Sequence, residues 1–132
     1  MPPIDGTNND DLIAGTSAAE IINGLGGNDT ITAFEGNDTI DGGSGDDSIL
    51  AGNGNDIVTA GVGNDYVNGG AGADTIFAGD GSDSIYGGLD NDSITGGLGN
   101  DTLSGDAGSD IIYGDEGDDF VTGGGDNDTL YG

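Results

Sequence analysis

An all-β solenoid of parallel strands is the fold class that this sequence predicts, and three observations predict it. A nine-residue unit repeats fourteen times from Gly6 to Tyr131 without insertion or deletion. One phase of the unit is aliphatic in every copy, and another is acidic in every copy. Glycine fills 31 of the 132 positions and recurs at fixed phases, which leaves no 3.6-residue stripe and opposes helix by about 1 kcal/mol at each glycine. The best-formed units read GGSGDDSIL (Gly42 to Leu50), AGNGNDIVT (Ala51 to Thr59), GGAGADTIF (Gly69 to Phe77) and GGLGNDTLS (Gly96 to Ser104). Their consensus is G-G-x-G-x-D-x-U-x, with U a large aliphatic residue. Two units make one 18-residue coil, so fourteen units predict seven coils.

Position 8 supplies the strand signal. It holds Ile or Val in every unit except the two that carry Leu103 and Leu130. These β-branched residues suit strands, and their neighbours at positions 7 and 9 are mostly polar. The triplet reads polar-apolar-polar, which predicts a three-residue strand with one side chain inward, separated from the next by a six-residue turn. Strands of alternate units then stack in parallel about 4.8 Å apart, as two facing sheets with position 8 between them.

The turns are written in glycine. Position 4 is Gly in ten units, and the exceptions are Asn9, Ala18, Asp90 and Asp126. Asn and Asp are the residues that best tolerate positive φ after Gly, so position 4 is predicted to be left-handed. Position 1 is Gly or Ala throughout, which points to steric crowding.

Position 6 carries the chemistry. It is Asp in thirteen units and Glu20 in the other, while positions 3 and 5 vary. A solvated acidic face would not hold one acid at one phase, so a ligand column is expected. Stacking sets Asp47 between Asp29 and Asp65 on one side, and Asp56 between Asp38 and Asp74 on the other. Two carboxylates about 4.8 Å apart repel by about 0.9 kcal/mol at a dielectric of 80 and about 3.5 at 20. Over about a dozen such pairs this rivals or exceeds the roughly 5 to 15 kcal/mol that stabilises a whole domain. The metal-free chain is therefore expected to be largely disordered.

The chain has 26 acidic residues and no Lys, Arg, His, Cys or Trp, so its charge of −26 must be balanced from outside. Nucleic acid is excluded as a partner by sign. No apolar run approaches the roughly 20 residues of a bilayer-spanning helix, so membrane insertion is not expected. The segment Met1 to Asp5 has no basic and apolar leader, so no Sec-type signal is expected. Without His or Cys, zinc and copper are disfavoured, and Mg²⁺ demands a tight octahedron. Ca²⁺ takes about six to eight oxygens at about 2.3 to 2.6 Å, which Asp carboxylates and turn carbonyls can supply. Six gaps between turns on each side set an upper bound of about twelve ions, nearly matching the −26 of the chain.

The units quoted above resemble the RTX, or hemolysin-type calcium-binding, repeats of secreted bacterial proteins, over residues 6 to 131. The resemblance implies a parallel β-roll with Ca²⁺ between successive turns. It also implies type I secretion, with the chain unfolded in a low-calcium cytosol and folded outside the cell. Carried over by position, the implied ligands are Asp29, Asp38, Asp47, Asp56, Asp65, Asp74, Asp83, Asp92, Asp101, Asp110 and Asp119, with Asp11 and Asp128 in the terminal turns. Residues 1–5 read as a lead-in, 6–23 as a degenerate first coil, 24–131 as calcium-binding coils, and 132 as the last residue. Units GTNNDDLIA and GTSAAEIIN lack both turn glycines, and Leu25 and Phe34 replace Gly at position 2 of the next two. Discounting these leaves an expectation of about eight to ten occupied sites.

Catalysis is not expected, because there is no His, Cys or Lys and no segment departs from the repeat to form a cleft. An ice-binding or adhesive face is the rival reading, since Thr39, Thr59, Thr75, Thr95 and Thr129 point outward along one sheet. Ile57, Phe77, Ile111, Tyr113 and Tyr131 interrupt that rank. The last strand has no evident cap, so end-to-end self-association of copies is expected.

Overall fold

A computed structural model describes residues 2–132 and contains, among these residues, fifteen strands in two facing parallel sheets. One sheet has eight strands: β1 (Ile4–Asp5), β3 (Ile21–Asn23), β5 (Thr39–Ser44), β7 (Ile57–Val62), β9 (Thr75–Asp80), β11 (Ser93–Leu98), β13 (Ile111–Glu116) and β15 (Thr129–Tyr131). The other has seven: β2 (Leu12–Ala14), β4 (Thr30–Glu35), β6 (Ser48–Asn53), β8 (Tyr66–Ala71), β10 (Ser84–Leu89), β12 (Thr102–Ala107) and β14 (Phe120–Gly125). The chain alternates between sheets, and every strand lies beside the strand two units on. Ile40 pairs with Val58, and Ile85 with Leu103, so the 18-residue register is unbroken. This is the seven-coil solenoid that the repeat predicts.

The strands are longer than the triplet suggests. From β4 to β14 each spans six residues, running from position 7 through position 3 of the next unit. Gly43 pairs with Gly61 and Ser44 with Val62, beyond the expected strand end. Glycine weakens a strand in isolation, yet here each position-2 glycine from Gly43 to Gly97 stacks on another of the same column and keeps its ladder partner. Only positions 4 to 6 are left for the turn. The lead-in contributes too: Ile4 occupies the phase of position 8, pairs with Ile22 and packs against the core.

Position 8 fills the interior from Ile13 to Ile112, and position 1 joins it through Ala33, Ala51, Ala60 and Ala78. Positions 8 and 1 are two residues apart, so the strand alternation aims both inward. Positions 7 and 9 face out. The Thr columns there are broken as the sequence indicates, with Thr39 beside Ile57 beside Thr75, and Thr59 beside Phe77.

From the third unit onward, two left-handed residues per unit make the corner between sheets. Position 4 is left-handed at its ten glycines and at Asp90 (φ 76) and Asp126 (φ 70). Asn9 and Ala18 are not left-handed, so the prediction for position 4 fails in the first coil. Position 2 is left-handed as well, which the sequence reading missed. Leu25 (φ 77) and Phe34 (φ 80) hold this conformation against their own sterics, while Asp106 and Asp115 are better suited to it.

Candidate metal centre

Stacked turns bring the position-6 acids into two columns at the edges of the solenoid. Within each column the acids are wired to one another through the backbone. The N–H of Asp47 donates to Oδ1 of Asp65 at 2.8 Å, and the N–H of Asp65 donates to Oδ1 of Asp83 at 2.8 Å. The same bond recurs from the N–H of Asp11 onto Asp29 to the N–H of Asp110 onto Asp128, at 2.7 to 3.0 Å. Every Asp from Asp29 to Asp128 thus has one carboxylate oxygen fixed by the coil before it.

The second oxygen has no such partner. In all ten acids from Asp29 to Asp110, Oδ2 is buried and accepts no hydrogen bond. A buried carboxylate oxygen without a donor costs about 1 to 3 kcal/mol, and more when charged, so ten of them demand a ligand. Asp119 and Asp128, in the last coil, are only half-buried. Asp11 differs in kind, because its Oδ2 accepts the Thr7 N–H at 2.6 Å and the Thr7 hydroxyl at 2.8 Å.

Burial shifts these acids. Loss of solvent pushes Asp74 and Asp92 up to about 7, and Asp65 and Asp83 up to about 6, from an ordinary 3.8. The backbone N–H on Oδ1 offsets part of that rise, and neighbouring carboxylates add to it. Asp38, Asp47, Asp56, Asp101 and Asp110 rise for the same first reason.

Further oxygens lie on the backbone. Among the described residues no three acidic side chains converge on a point, which leaves turn carbonyls as the other oxygen donors at hand. The turn hydrogen bonds end mostly on the carbonyls of positions 3 and 6, and none ends on that of position 4. Those unused carbonyls sit between coils. A Cβ built on Gly45 would lie 2.1 Å from the Gly27 carbonyl oxygen, and one on Gly63 would lie 2.1 Å from that of Gly45. Glycine at position 4 thus serves two needs, the left-handed φ and room for a carbonyl oxygen of the preceding coil.

Position 5 forms a second ladder that the sequence reading overlooked. The Asp46 N–H donates to Asn28 Oδ1 at 3.0 Å, and the Asn64 N–H to Asp46 Oδ1 at 2.8 Å. It runs opposite to the Asp ladder: here each side chain accepts from the following coil. The excess of Asn, Asp and Ser at position 5 was the available signal, because any side-chain oxygen of that length serves.

Orphaned carboxylate oxygens, carbonyls without donors and the absence of any nitrogen or sulfur ligand fit a hard, oxygen-seeking cation. The fold and these turns define a parallel β-roll built to carry cations between its coils. The model of the RTX calcium-binding nonapeptide repeat (4 copies) matches at residues 4–33, 14–49, 32–67, 41–76, 59–94, 68–103 and 104–132. The chain belongs to that family, and it binds multiple Ca²⁺ ions in its β-roll. No individual curated protein matches the chain.

Proposed function

We propose that this chain is a calcium-dependent folding module, largely disordered without the ion and assembled into the roll outside the cell, where calcium is abundant. The observation that carries this reading is the set of ten buried Oδ2 atoms without a partner. Their carboxylates, from Asp29 to Asp110, are the ligand side chains, with Asp119 and Asp128 completing the two columns at the C-terminal side. Bound calcium supplies positive charge between rungs that otherwise repel. The protein's own part is to fix Oδ1 with a backbone N–H and to aim Oδ2 and the position-4 carbonyls at the gap.

Type I export fits this logic, since an unfolded chain passes a channel more readily than a folded one. End-to-end association of copies is part of the proposal, since an unpaired edge strand offers its backbone groups to a second copy. Calorimetric titration of the metal-free chain tests the reading. It should give about eight to ten ions per chain with folding coupled to binding, and a count of zero or one would contradict it.

A further inference from the structure

The two units without turn glycines share a feature found in no other unit. Both carry Thr at position 2, four residues before the acid. Thr7 donates to Asp11 through its N–H and its hydroxyl, and Thr16 does the same to Glu20, with the N–H at 2.9 Å and the hydroxyl on Oε1. The hydroxyls also accept from their own turns, taking the Asn9 N–H at 3.2 Å and the Ala18 N–H at 3.3 Å. Position 2 elsewhere is Gly, Leu, Phe or Asp, none of which has a side-chain donor at neutral pH. That difference coincides with the orphaned oxygens, which begin at Asp29 and exclude Asp11 and Glu20.

We propose that residues 6–23 form a cation-free cap that ends the calcium ladder at its N-terminal side. Thr7 and Thr16 give Asp11 and Glu20 the donors that an ion substitutes for elsewhere. The backbone agrees, since neither position 2 nor position 4 of the first coil is left-handed, so these turns do not adopt the conformation of the other units. The cap still engages the ladder: the N–H groups of Asp11 and Glu20 each donate at 2.8 Å, to Oδ1 of Asp29 and of Asp38. It thereby holds the first ligand on each edge without contributing one.

The inference rests on the reading of the position-6 acids as ligands, and one comparison separates the two. Native mass spectrometry of the calcium-saturated full chain counts ions in the wild type, in Asp11→Asn with Glu20→Gln, and in Asp65→Asn. The cap predicts an unchanged count for the terminal pair and a lower count for Asp65→Asn. A lower count for both overturns the cap and leaves the ligand reading standing. An unchanged count for both removes the ligand reading and the cap with it. A second readout is amide exchange in Thr7→Val with Thr16→Val: the Asn9 and Ala18 amides should exchange at least tenfold faster at an unchanged ion count. Exchange at the wild-type rate would overturn the role given to the two hydroxyls.

Discussion

Asp65 accepts the backbone N–H of Asp47 on one carboxylate oxygen at 2.8 Å and keeps the other buried and without a donor. One side chain thus does two separable things. It locks two coils in register, and it leaves a buried charge that near neutral pH calls for a bound cation.

Substitution separates those two roles. Asp65→Asn keeps an oxygen for the Asp47 N–H and removes the charge, so the calcium-loaded roll should persist with a weaker and less cooperative calcium transition. Asp65→Ala also strands the Asp47 N–H, at a further cost of about 1 to 3 kcal/mol. Urea unfolding of both variants in calcium measures the gap, and equal stabilities would contradict the assigned hydrogen bond.

Acidity should do part of the work of calcium. Folding without metal raises Asp74 and Asp92 from 3.8 to about 7, so the metal-free roll takes up protons as it forms. Its stability is therefore fullest below about pH 4 and drains away as pH climbs through 6 to 7. Metal-free protein should gain β content on acidification from pH 7 to 4. Below about pH 6 protons compete for the same oxygens, so apparent calcium affinity should fall. Circular dichroism across pH checks both arms, and β content that fell on acidification of metal-free protein would contradict the shifts.

The corner glycines are unequal targets. Gly63→Ala puts a Cβ at φ 142 and 2.1 Å from the Gly45 carbonyl oxygen, which should cost about 2 to 5 kcal/mol. Leu25→Gly and Phe34→Gly relieve left-handed strain at exposed side chains and should each stabilise the loaded roll by about 1 kcal/mol. Thermal melting in saturating calcium orders the three variants.

The outer ladder has a gap at Ala73, whose methyl cannot accept the Asn91 N–H, although the Ala73 N–H itself donates to Asn55 at 3.1 Å. Ala73→Asn should close it and add about 0.5 to 1.5 kcal/mol. Hydrogen exchange at Asn91 reports the new bond directly.

Much of this architecture was legible because one residue type repeats at one phase. The Ile column at position 8 and the Asp column at position 6 gave the sheets, the coil length and the acid ladder. The second left-handed corner at position 2 was hidden, because glycine there reads equally as crowding, and Leu25 and Phe34 argue against positive φ. Strand length was underestimated for a related reason: propensity penalises Gly43 and Gly61 singly, whereas the stack satisfies them as a pair. The orphaned oxygens have no sequence signature, since they depend on which way a carboxylate turns once its other oxygen is held. Thr7 and Thr16 did carry a signal, the same residue at the same phase in the only two units that lack both glycines.

Far-ultraviolet circular dichroism during a calcium titration, repeated with magnesium, tests the central claim most directly. Stacked carboxylates that need an oxygen-bound ion predict little β structure in chelator at pH 7, a sharp rise with calcium and almost none with magnesium. Full β content in excess chelator would show that the rungs tolerate one another unaided, and the account would be wrong.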